Sequence, residues 1–381
     1  MQFRKFGRLG WNASVLGFGC MRLPTMDGNP HSPNINEPEA VRLIRHALDH
    51  GVNYFDTAYI YHDGNSETIL GKALRGHRDK VKIATKCPVW LIKEETDFDR
   101  MLNEQLRKLQ TDHAYFYLLH ALSKSRWNEI VLKFNLLEKA EAAIRDGRIR
   151  HLGFSFHDNY ASLPDIINGC PSWTFCQIQY NYMDTENQAG TKGLKLAAAR
   201  GLAVVVMEPL LGGRLAQPPA SIRQTIDRFS LKRSPADWAL QWLWNQPEVT
   251  VVLSGMSTMN QLGANLNSAS SSRSHSFQEA DFKLIADLQS KYRERAAIPC
   301  TKCNYCMPCP NGVNIPDNFE IYNDAFLHED IPGARFKYQA FVTESARAGQ
   351  CLTCHDCEDR CPQKIPISDW MPKVHELLTA A

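Results

Sequence analysis

The sequence predicts an α/β protein in which a (β/α)8 TIM barrel is followed by a smaller, mainly helical domain. Between residues 15 and 265, short runs rich in β-branched and aromatic residues alternate with segments that carry apolar residues at helical spacing. Such alternation indicates parallel strands joined by crossover helices, and eight units in about 250 residues match a closed barrel. An open, doubly wound sheet is the alternative arrangement. The second domain is expected because the pattern stops near Pro299, where closely spaced cysteines begin.

Each of the eight predicted strands is a short, largely apolar run. In chain order they are VLGFGC (15–20), VNYFDTA (52–58), VKIATK (81–86), YFYLLHA (115–121), IRHLGFSF (149–156), FCQIQYNY (175–182), LAVVVMEPL (202–210) and VTVVLSG (249–255). Before the first of them, FRKFGRLGWNA predicts a short hairpin that closes the bottom of the barrel.

The segments between the strands are amphipathic, as in EAVRLIRHALDHG and IVLKFNLLEKAEAAIRDG. Gly51 and Gly147 stand just past two of these segments, which is the usual place of a helix stop signal. After the eighth unit, SASSSRSHS (268–276) predicts a polar loop, and FQEADFKLIADLQSKYRERA predicts one more helix. We therefore place residues 1–298 in the barrel and residues 299–381 in the second domain, whose segments between the cysteines also look helical.

Composition narrows the class of protein. With 44% hydrophobic and 22% charged residues, and no apolar stretch of the ~20 residues that a membrane span needs, the chain reads as soluble and globular. A net charge of +2 gives no case for nucleic acid or an anionic membrane as a partner. Eight of the twelve cysteines fall in two compact runs, and the N-terminus has no secretory signal pattern. Clustered cysteines in such a chain indicate metal ligands in a reducing compartment, so we expect a cytoplasmic protein.

Polar residues follow several of the predicted strands at the end where barrel enzymes gather their active sites. A tyrosine is a poor acid near neutral pH, but a neighbouring ammonium stabilises its phenolate and lowers its pKa. A carboxylate can hold that ammonium in place, and a histidine can orient a carbonyl oxygen. The set consists of Asp56, Tyr61, Lys86 and His120, with Gln177, Tyr180 and Asn181 on strand six. Taken one at a time, each of these residues also has an ordinary structural explanation.

The short sequence motifs around these residues are FDTAYIY followed by GNSE, then IATK and YLLH. Together they resemble the aldo-keto reductase superfamily over roughly residues 3 to 295. The resemblance implies that Tyr61 is the general acid, that Lys86 and Asp56 tune it, and that His120 positions the substrate carbonyl. The implied reaction is hydride transfer between a nicotinamide, NAD(P)(H), and an aldehyde or ketone, in either direction.

The same resemblance implies residues that bind the nicotinamide cofactor. Ser155 and Gln177 would bind the carboxamide, although Phe156 replaces the asparagine that usually follows the serine. Met207 stands where many members stack an aromatic ring, and a thioether can cover a ring face. Gly212, with the glycine after it, would let backbone amides approach the diphosphate, although a plain turn explains both glycines equally well.

The largest departure from the family follows strand eight. Gly255 and Gln261 occupy the positions where members that prefer NADP place a lysine and an arginine, while Asn265 keeps the adenine-contacting role. Loss of two cations that bind a phosphate dianion weakens the case for NADP. The resemblance therefore leaves the choice between NADP and NAD open.

The two cysteine runs have the spacing of iron–sulfur ligands. The first is C-x2-C-x2-C-x2-C-P and the second is C-x2-C-x2-C-x3-C-P, the bacterial ferredoxin run. Their cysteines are Cys300, Cys303, Cys306 and Cys309, then Cys351, Cys354, Cys357 and Cys361. Zinc is the alternative metal, but it rarely uses four successive cysteines followed by proline, so we favour two [4Fe-4S] clusters.

The tail resembles the helical type of dicluster ferredoxin, in which the fourth cysteine of one run serves the other cluster. That resemblance implies one cluster on Cys300, Cys303, Cys306 and Cys361, and another on Cys351, Cys354, Cys357 and Cys309.

Three functions remain open from the sequence. The barrel could reduce a small-molecule carbonyl compound while the clusters are structural or regulatory. Alternatively, electrons could pass between a ferredoxin-like partner, the clusters and a quinone or a flavin, because a nicotinamide transfers two electrons and each cluster one. The third is a redox sensor whose barrel binds nicotinamide without turnover. The identity of the substrate is not visible in the sequence.

Overall fold

Eight parallel strands form a closed barrel in the computed structural model, which describes residues 1–380. Around the barrel the strand order is β10-β3-β4-β5-β6-β7-β8-β9. The bounds are β1 Phe3–Lys5, β2 Asn12–Ser14, β3 Leu16–Gly19, β4 Tyr54–Asp56, β5 Lys82–Cys87, β6 Ala114–Leu122, β7 Ile149–Phe156, β8 Trp173–Gln179, β9 Ala203–Met207 and β10 Val249–Ser254. Each predicted strand is confirmed, and the open sheet is excluded.

The N-terminal hairpin closes the end of the barrel at which the strands begin. β1 and β2 pair antiparallel, and Phe6 in the turn between them is fully buried. Its ring lies 4.5 Å from that of Phe116 and packs in one apolar cluster with Tyr54 and Phe175. These three residues lie near the starts of β4, β6 and β8. The opposite end of the barrel is therefore left for chemistry.

Helices join the strands in the predicted alternation. Gly51 and Gly147 both have φ near +88°, which is why glycine stands just after the helices there. The helices up to β10 are α1 Glu37–Asp49, α2 Asn65–Ala73, α3 Thr96–Leu109, α4 Lys124–Arg126, α5 Leu136–Arg145, α6 Leu163–Asn168, α7 Gly190–Ala199, α8 Ala220–Arg228 and α9 Pro235–Trp244. A short π-helix, Trp127–Leu132, continues directly from α4.

The serine-rich segment after β10 differs from its prediction. Helix α10, Met259–Ser271, continues four residues into the stretch predicted as a loop. The hydroxyls of Ser270 and Ser271 both donate to the carbonyl oxygen of Asn267, and Gln241 Nε2 donates to the Ser268 carbonyl. Serine is a weak helix former because its hydroxyl competes for backbone hydrogen bonds. Here the two hydroxyls donate to a carbonyl oxygen of the same helix, and the helix continues. The loop prediction was wrong for residues 268–271.

The chain divides into two compact units. The first comprises Met1–Ala216 and Arg233–Phe277, and the second comprises Gln217–Lys232 together with the chain from Gln278 onward. Helix α8 and helix α11, Glu279–Arg293, belong to the second unit, where Lys291 Nζ donates to Thr225 Oγ1 at 2.9 Å. The division after residue 298 follows the cysteine pattern and stays a prediction.

The second unit is mainly helical, as predicted. Beyond α11 its helices are α12 Ile315–Leu327, α13 Ile331–Phe341, α14 Asp356–Asp359 and α15 Ile367–Thr379. Phe319, Tyr338 and Met371, from α12, α13 and α15, are fully buried in a core that also takes in Cys306 and Cys361. Within residues 1–380, no helix has both the length and the apolar character that crossing a membrane requires.

Candidate active site and cysteine cavities

Lys86 and Asp56 form a buried ion pair at the carboxyl ends of β4 and β5, and the half-buried Tyr61 contacts it. Lys86 Nζ lies 2.5 Å from Asp56 Oδ1, 2.7 Å from the carbonyl oxygen of Thr57 and 3.3 Å from the Tyr61 hydroxyl. Asp56 ends β4, which pairs with β5, so that the two side chains share one end of the barrel. The side chains of Lys86 and Asp56 are only 1% and 3% exposed, so water is largely excluded from this ion pair.

A strained turn presents the tyrosine. The 3-10 turn Tyr61–Gly64 contains His62 and Asp63, both with φ above +50°. His62 Nδ1 lies 2.7 Å from the carbonyl oxygen of Ser32, and its Nε2 accepts from the N–H of Leu23. The two bonds tie the turn to the long loop after β3. Strain of this kind concentrates at functional sites, where surrounding contacts hold it in place.

The electrostatics of Tyr61 differ from the sequence prediction. Burial raises the pKa of Tyr61 above its ordinary value, and the Lys86 ammonium only partly opposes that shift. The lysine was expected to lower the pKa overall, but desolvation of the phenolate outweighs it. Burial alone would lower the pKa of Lys86, yet Asp56 and Tyr61 together raise it. The group therefore holds a protonated phenol beside a charged ammonium at neutral pH.

His120 lies on β6, with its ring close to that of Tyr61. Its ring centre lies 6.3 Å from that of Tyr61 and 5.0 Å from that of Trp90. Its Nδ1 is buried without a hydrogen-bond partner among residues 1–380. Burial, with Lys86 second, lowers the pKa of His120 well below its ordinary value. The imidazole is therefore neutral at physiological pH and can donate a hydrogen bond to a ligand.

A buried polar network beneath Lys86 was missed from the sequence. Gln105 Nε2 donates to the Lys86 carbonyl oxygen at 3.1 Å and to Glu67 Oε1 at 2.7 Å. Thr85 Oγ1 also donates to Glu67, and the Tyr117 hydroxyl donates to Gln105 Oε1. Glu67, in the motif GNSE, was the one feature of the sequence that could have indicated this network. Its partners come from α3 and from neighbouring strands, so only the fold brings them together.

Ser155 and Gln177 lie side by side because β7 and β8 pair at this position. Ser155 Oγ accepts from the N–H of Ala121 at 2.7 Å, and both side chains are at most 2% exposed. Gln177 Oε1 is a buried acceptor without a partner in residues 1–380. A buried acceptor normally finds a donor, and the NH2 of a nicotinamide carboxamide is one. The site thus fits that group.

Tyr180 and Asn181, which directly follow β8, form hydrogen bonds within the barrel unit. The Tyr180 hydroxyl contacts Thr191 Oγ1 at 2.9 Å and Gln246 Oε1 at 3.3 Å. Asn181 Nδ2 donates to the carbonyl oxygen of Glu208, and its Oδ1 accepts from two backbone N–H groups of the following turn. These side chains shape the loop after β8 and have their own partners.

The loops after β9 and β10 lie against Arg22, a residue that was missed from the sequence. Arg22 Nη1 donates to the carbonyl oxygen of Gly212 at 3.2 Å. A Cβ added at Gly255 would lie only 3.2 Å from the Cβ of Arg22, so glycine there leaves room for the arginine. Gly212 and Gly213 have φ of +70° and +104°. The visible signal was the basic residue in CMRLP, directly after the first barrel strand.

The other predicted cofactor residues lie close to these loops. Met207 is the last residue of β9. Gln261 lies in the first turn of α10, and its Oε1 accepts from the N–H of Ser257 at 2.8 Å. Asn265 is buried on the same helix, and its Nδ2 donates to Ser254 Oγ.

The eight clustered cysteines surround two separate cavities in the second unit. One is lined by Cys300, Cys303, Cys306 and Cys361, and the other by Cys309, Cys351, Cys354 and Cys357. The sets are those that the ferredoxin resemblance implied, with one cysteine exchanged between the runs. Cys303 and Cys354 are exposed, so each cavity reaches the surface of its unit.

The cysteines suit a cluster better than a single ion. All twelve cysteines of the chain are free thiols. Within residues 1–380, no group of three or more His, Cys, Asp or Glu side chains converges closely enough to hold one metal ion. Burial raises the pKa of Cys306 and of Cys357 to about 11, and a bound metal centre would stabilise their thiolates. A cysteine quartet around a cavity fits an iron–sulfur cubane.

Comparisons with known proteins agree with both units. A family model described as "Aldo/keto reductase family" matches residues 15–288, and one described as "4Fe-4S dicluster domain" matches residues 299–365. The uncharacterized oxidoreductase YrpG of Bacillus subtilis is 29% identical over 308 residues, which covers 69% of this chain and 89% of that protein.

Solved structures show the same barrel. The thermostable aldo-keto reductase Tm1743, in complex with the inhibitor epalrestat, is 25% identical with a TM-score of 0.64. It aligns with 76% of this chain and 100% of its own. An aldo-keto reductase from Klebsiella pneumoniae in complex with NADPH shares the fold at 21% identity and a TM-score of 0.61, covering 75% of this chain and 95% of its own.

The barrel, together with the oxidoreductases that the sequence resembles, defines an oxidoreductase of the TIM-barrel class. Because the family model covers well over half of it, the chain belongs to the aldo/keto reductase family, and it carries a 4Fe-4S dicluster domain at its C-terminal side.

Proposed function

We propose that the protein reduces small-molecule aldehydes or ketones with a nicotinamide cofactor, or oxidises the corresponding alcohols. The observation that carries the proposal is the contact of Lys86 Nζ with both Asp56 and the Tyr61 hydroxyl in a buried site.

The contacts of the side chains support the following proposed roles. When bound, a reduced nicotinamide supplies a hydride to the carbonyl carbon. Tyr61 donates its proton to the carbonyl oxygen, and the Lys86 ammonium stabilises the phenolate left behind. Asp56 compensates the charge of Lys86, which would otherwise be buried unpaired. His120, neutral at physiological pH, donates a hydrogen bond that positions the carbonyl oxygen.

The proposed cofactor site runs across the carboxyl ends of β7 to β10. Ser155 and Gln177 would bind the carboxamide, and Met207 would cover one face of the nicotinamide ring. The amides around Gly212 would approach the diphosphate, with Arg22 as the nearby cation. Asn265 would contact the adenine from α10.

We propose that NADH serves this site at least as well as NADPH. Gly255 and Gln261 bring no positive charge to the loop after β10, and the Gln261 side chain is already bonded to the N–H of Ser257. A 2′-phosphate dianion gains most from charge-assisted bonds, which these residues do not offer.

We also propose two [4Fe-4S] clusters, one in each cysteine cavity. When bound, the clusters supply one-electron transfer, and Cys303 and Cys354 are exposed enough for an external donor to approach. A ferredoxin-like protein is the partner that this exposure favours. A flavin or a quinone bound in the barrel could couple the one-electron transfer of the clusters to the two-electron chemistry of the nicotinamide.

The proposed function is tested by replacing the proton donor in anaerobically purified, cluster-loaded protein. We expect Tyr61→Phe to lower kcat for NADH- or NADPH-dependent aldehyde reduction by about 10²–10⁴-fold, the usual contribution of general acid catalysis. Tyr59→Phe is the matched control, because that tyrosine lies on the same loop with its hydroxyl bound to Glu104. Unchanged turnover in Tyr61→Phe would refute the assignment. Comparing kcat/KM for the two cofactors tests the NADH proposal, which a strong NADPH preference would contradict.

A further inference from the structure

Arg126 is a half-buried cation near the candidate active site that has no carboxylate partner. Its Nη1 donates to the carbonyl oxygen of Ala121 at 2.7 Å, and its Cζ lies 4.9 Å from the centre of the Trp90 ring. No carboxylate of residues 1–380 forms an ion pair with it, and burial lowers its pKa. Because a guanidinium carries five N–H donors, most of them remain available for a ligand.

Trp90 joins this cation to the proposed chemistry. The same indole ring lies 5.0 Å from His120, which in turn lies 6.3 Å from the Tyr61 ring. The Arg126 guanidinium and the His120 ring can therefore be no farther apart than the sum of their distances to Trp90. A small molecule with its carbonyl at His120 could reach Arg126 with a second functional group.

The local charge at this place is positive. Besides burial, the groups that lower the pKa of His120 are Lys86, His157 and Arg126, and each of them is cationic when charged. Asp56 neutralises Lys86 through their direct contact. Glu208 acts on His157, whereas no carboxylate of residues 1–380 forms an ion pair with Arg126, so an anionic group would be attracted to this guanidinium.

The backbone holds Arg126 in a fixed place. The pairing of β6 with β7 shifts register between Leu119 and Leu122, and Ala121 in this bulge has φ of +56°. The N–H of Ala121 donates to Ser155 Oγ, while its carbonyl oxygen accepts from Arg126. Bulges and π-helical turns, such as the one that follows Arg126, are frequent at functional sites.

We propose that the substrate carries a carboxylate besides its carbonyl group, and that Arg126 binds this carboxylate while the carbonyl oxygen lies between Tyr61 and His120. The inference rests on the proposed function and names its substrate class, an oxo acid whose carboxylate is several bonds from the carbonyl. The reaction leaves the carboxylate unchanged. The carbonyl carbon gains the hydride and its oxygen gains the Tyr61 proton, so that a hydroxy acid is formed.

A matched pair of rigid probes tests this inference in the cluster-loaded protein. The probes are 4-carboxybenzaldehyde and its uncharged methyl ester. We expect the natural protein to have at least a tenfold higher kcat/KM for the acid. Arg126→Gln should lower kcat/KM for the acid by about 10- to 100-fold, the range for hydrogen bonds to charged groups, and leave the ester within about threefold.

Two further variants separate binding from folding. Lys124→Gln removes an exposed charge from the same short helix and should change neither probe's kinetics. Arg126→Lys keeps the charge but loses the planar fork, so a selective loss for the acid alone is expected even if Arg126→Gln does not fold. An equal loss for both probes would show a purely structural role and overturn the inference.

The outcomes also distinguish this inference from the proposed function. Reduction of the ester without preference for the acid would refute the carboxylate site alone. Turnover of neither probe would count against the proposed function, and the dissociation constant of 4-carboxybenzaldehyde, from quenching of tryptophan fluorescence, then decides the inference. A tenfold weaker affinity in Arg126→Gln, with the ester unaffected, supports it, and equal affinities overturn it.

Discussion

Lys86 is a fully buried ammonium whose charge is matched by one carboxylate, that of Asp56. Lys86 touches Asp56, Tyr61 and a carbonyl oxygen at once, so a single side chain organises the acid and holds its turn. A buried pair is not by itself a source of stability, because desolvation offsets the attraction. Breaking it is costly, because one charge is left without a partner.

We therefore expect Asp56→Asn to lower the free energy of unfolding by about 3–5 kcal/mol as well as to lower activity. Chemical denaturation measured by circular dichroism provides the comparison. Glu37→Gln is the control, because Glu37 and Lys72 form a pair that is 44% and 42% exposed and should contribute about 0–1 kcal/mol. Equal effects of the two substitutions would contradict the burial of the Lys86 charge.

The pH dependence of the reaction follows from Tyr61. Burial, opposed in part by Lys86, raises the pKa of Tyr61, so the phenol is protonated below that pKa and able to act as the proposed acid. We expect kcat/KM for carbonyl reduction to be level through neutral pH and to fall only above the ordinary tyrosine value of about 10. Alcohol oxidation, which needs the phenolate, should rise over the same range. A fall in reduction between pH 6 and 8 in a pH–rate profile would be inconsistent with this assignment.

At the scale of elements, the barrel separates stability from chemistry. The hairpin of β1 and β2 closes the end where strands begin, while Asp56, Lys86 and His120 lie where strands end. Phe6 fills the closed end and touches no group of the candidate site. Its contribution should therefore appear in the free energy of unfolding alone.

Phe6→Ala is expected to destabilise the protein by about 3–5 kcal/mol, because it removes a fully buried ring from an apolar cluster. The KM and kcat of the folded fraction should stay the same. Thermal unfolding and steady-state kinetics, measured together, check this. Phe3→Ala, at a position 49% exposed on the same hairpin, should cost far less. A change in KM for Phe6→Ala would argue against a closed, inert end.

The sequence was informative about elements that depend on local pattern. Eight strands and the helical tail were predicted from periodicity, and the Asp56, Lys86 and Tyr61 group came from short words next to strands. Arg22, Arg126 and Gln105 were not found, because their partners are distant in the chain and only the closed barrel brings them together. The end of α10 was missed because serine hydroxyls bonded within the helix look, in sequence, like a loop.

At the scale of the whole molecule, one chain combines two kinds of redox site in two compact units. The first unit carries the proposed proton-donor group of Lys86, and the second carries two cysteine quartets. A nicotinamide moves two electrons together, and an iron–sulfur cluster moves one. The function of the protein therefore depends on which of the two reaches the substrate.

The exchange of one cysteine between the runs gives a test of the cluster proposal. Cys361→Ser and Cys303→Ser should remove the same cluster, so each single variant and the double variant should all retain about four irons instead of about eight. Cys361→Ser combined with Cys354→Ser should lose both clusters. Iron analysis with electron paramagnetic resonance provides the measurement, and Cys170→Ser is the control at a buried cysteine of the barrel. An iron-free Cys303→Ser and Cys361→Ser double variant would contradict this ligand assignment.

The central claim is that the Tyr61 group receives a carbonyl substrate to which hydride is transferred directly. Cluster-loaded protein is incubated anaerobically with NADH deuterated at both C4 positions and with 4-carboxybenzaldehyde, and the alcohol is examined by mass spectrometry and NMR. We predict one deuterium at the new alcohol carbon of every product molecule, and loss of product in Tyr61→Phe. Alcohol formed without deuterium would show that electrons arrive by another route, and would contradict the claim.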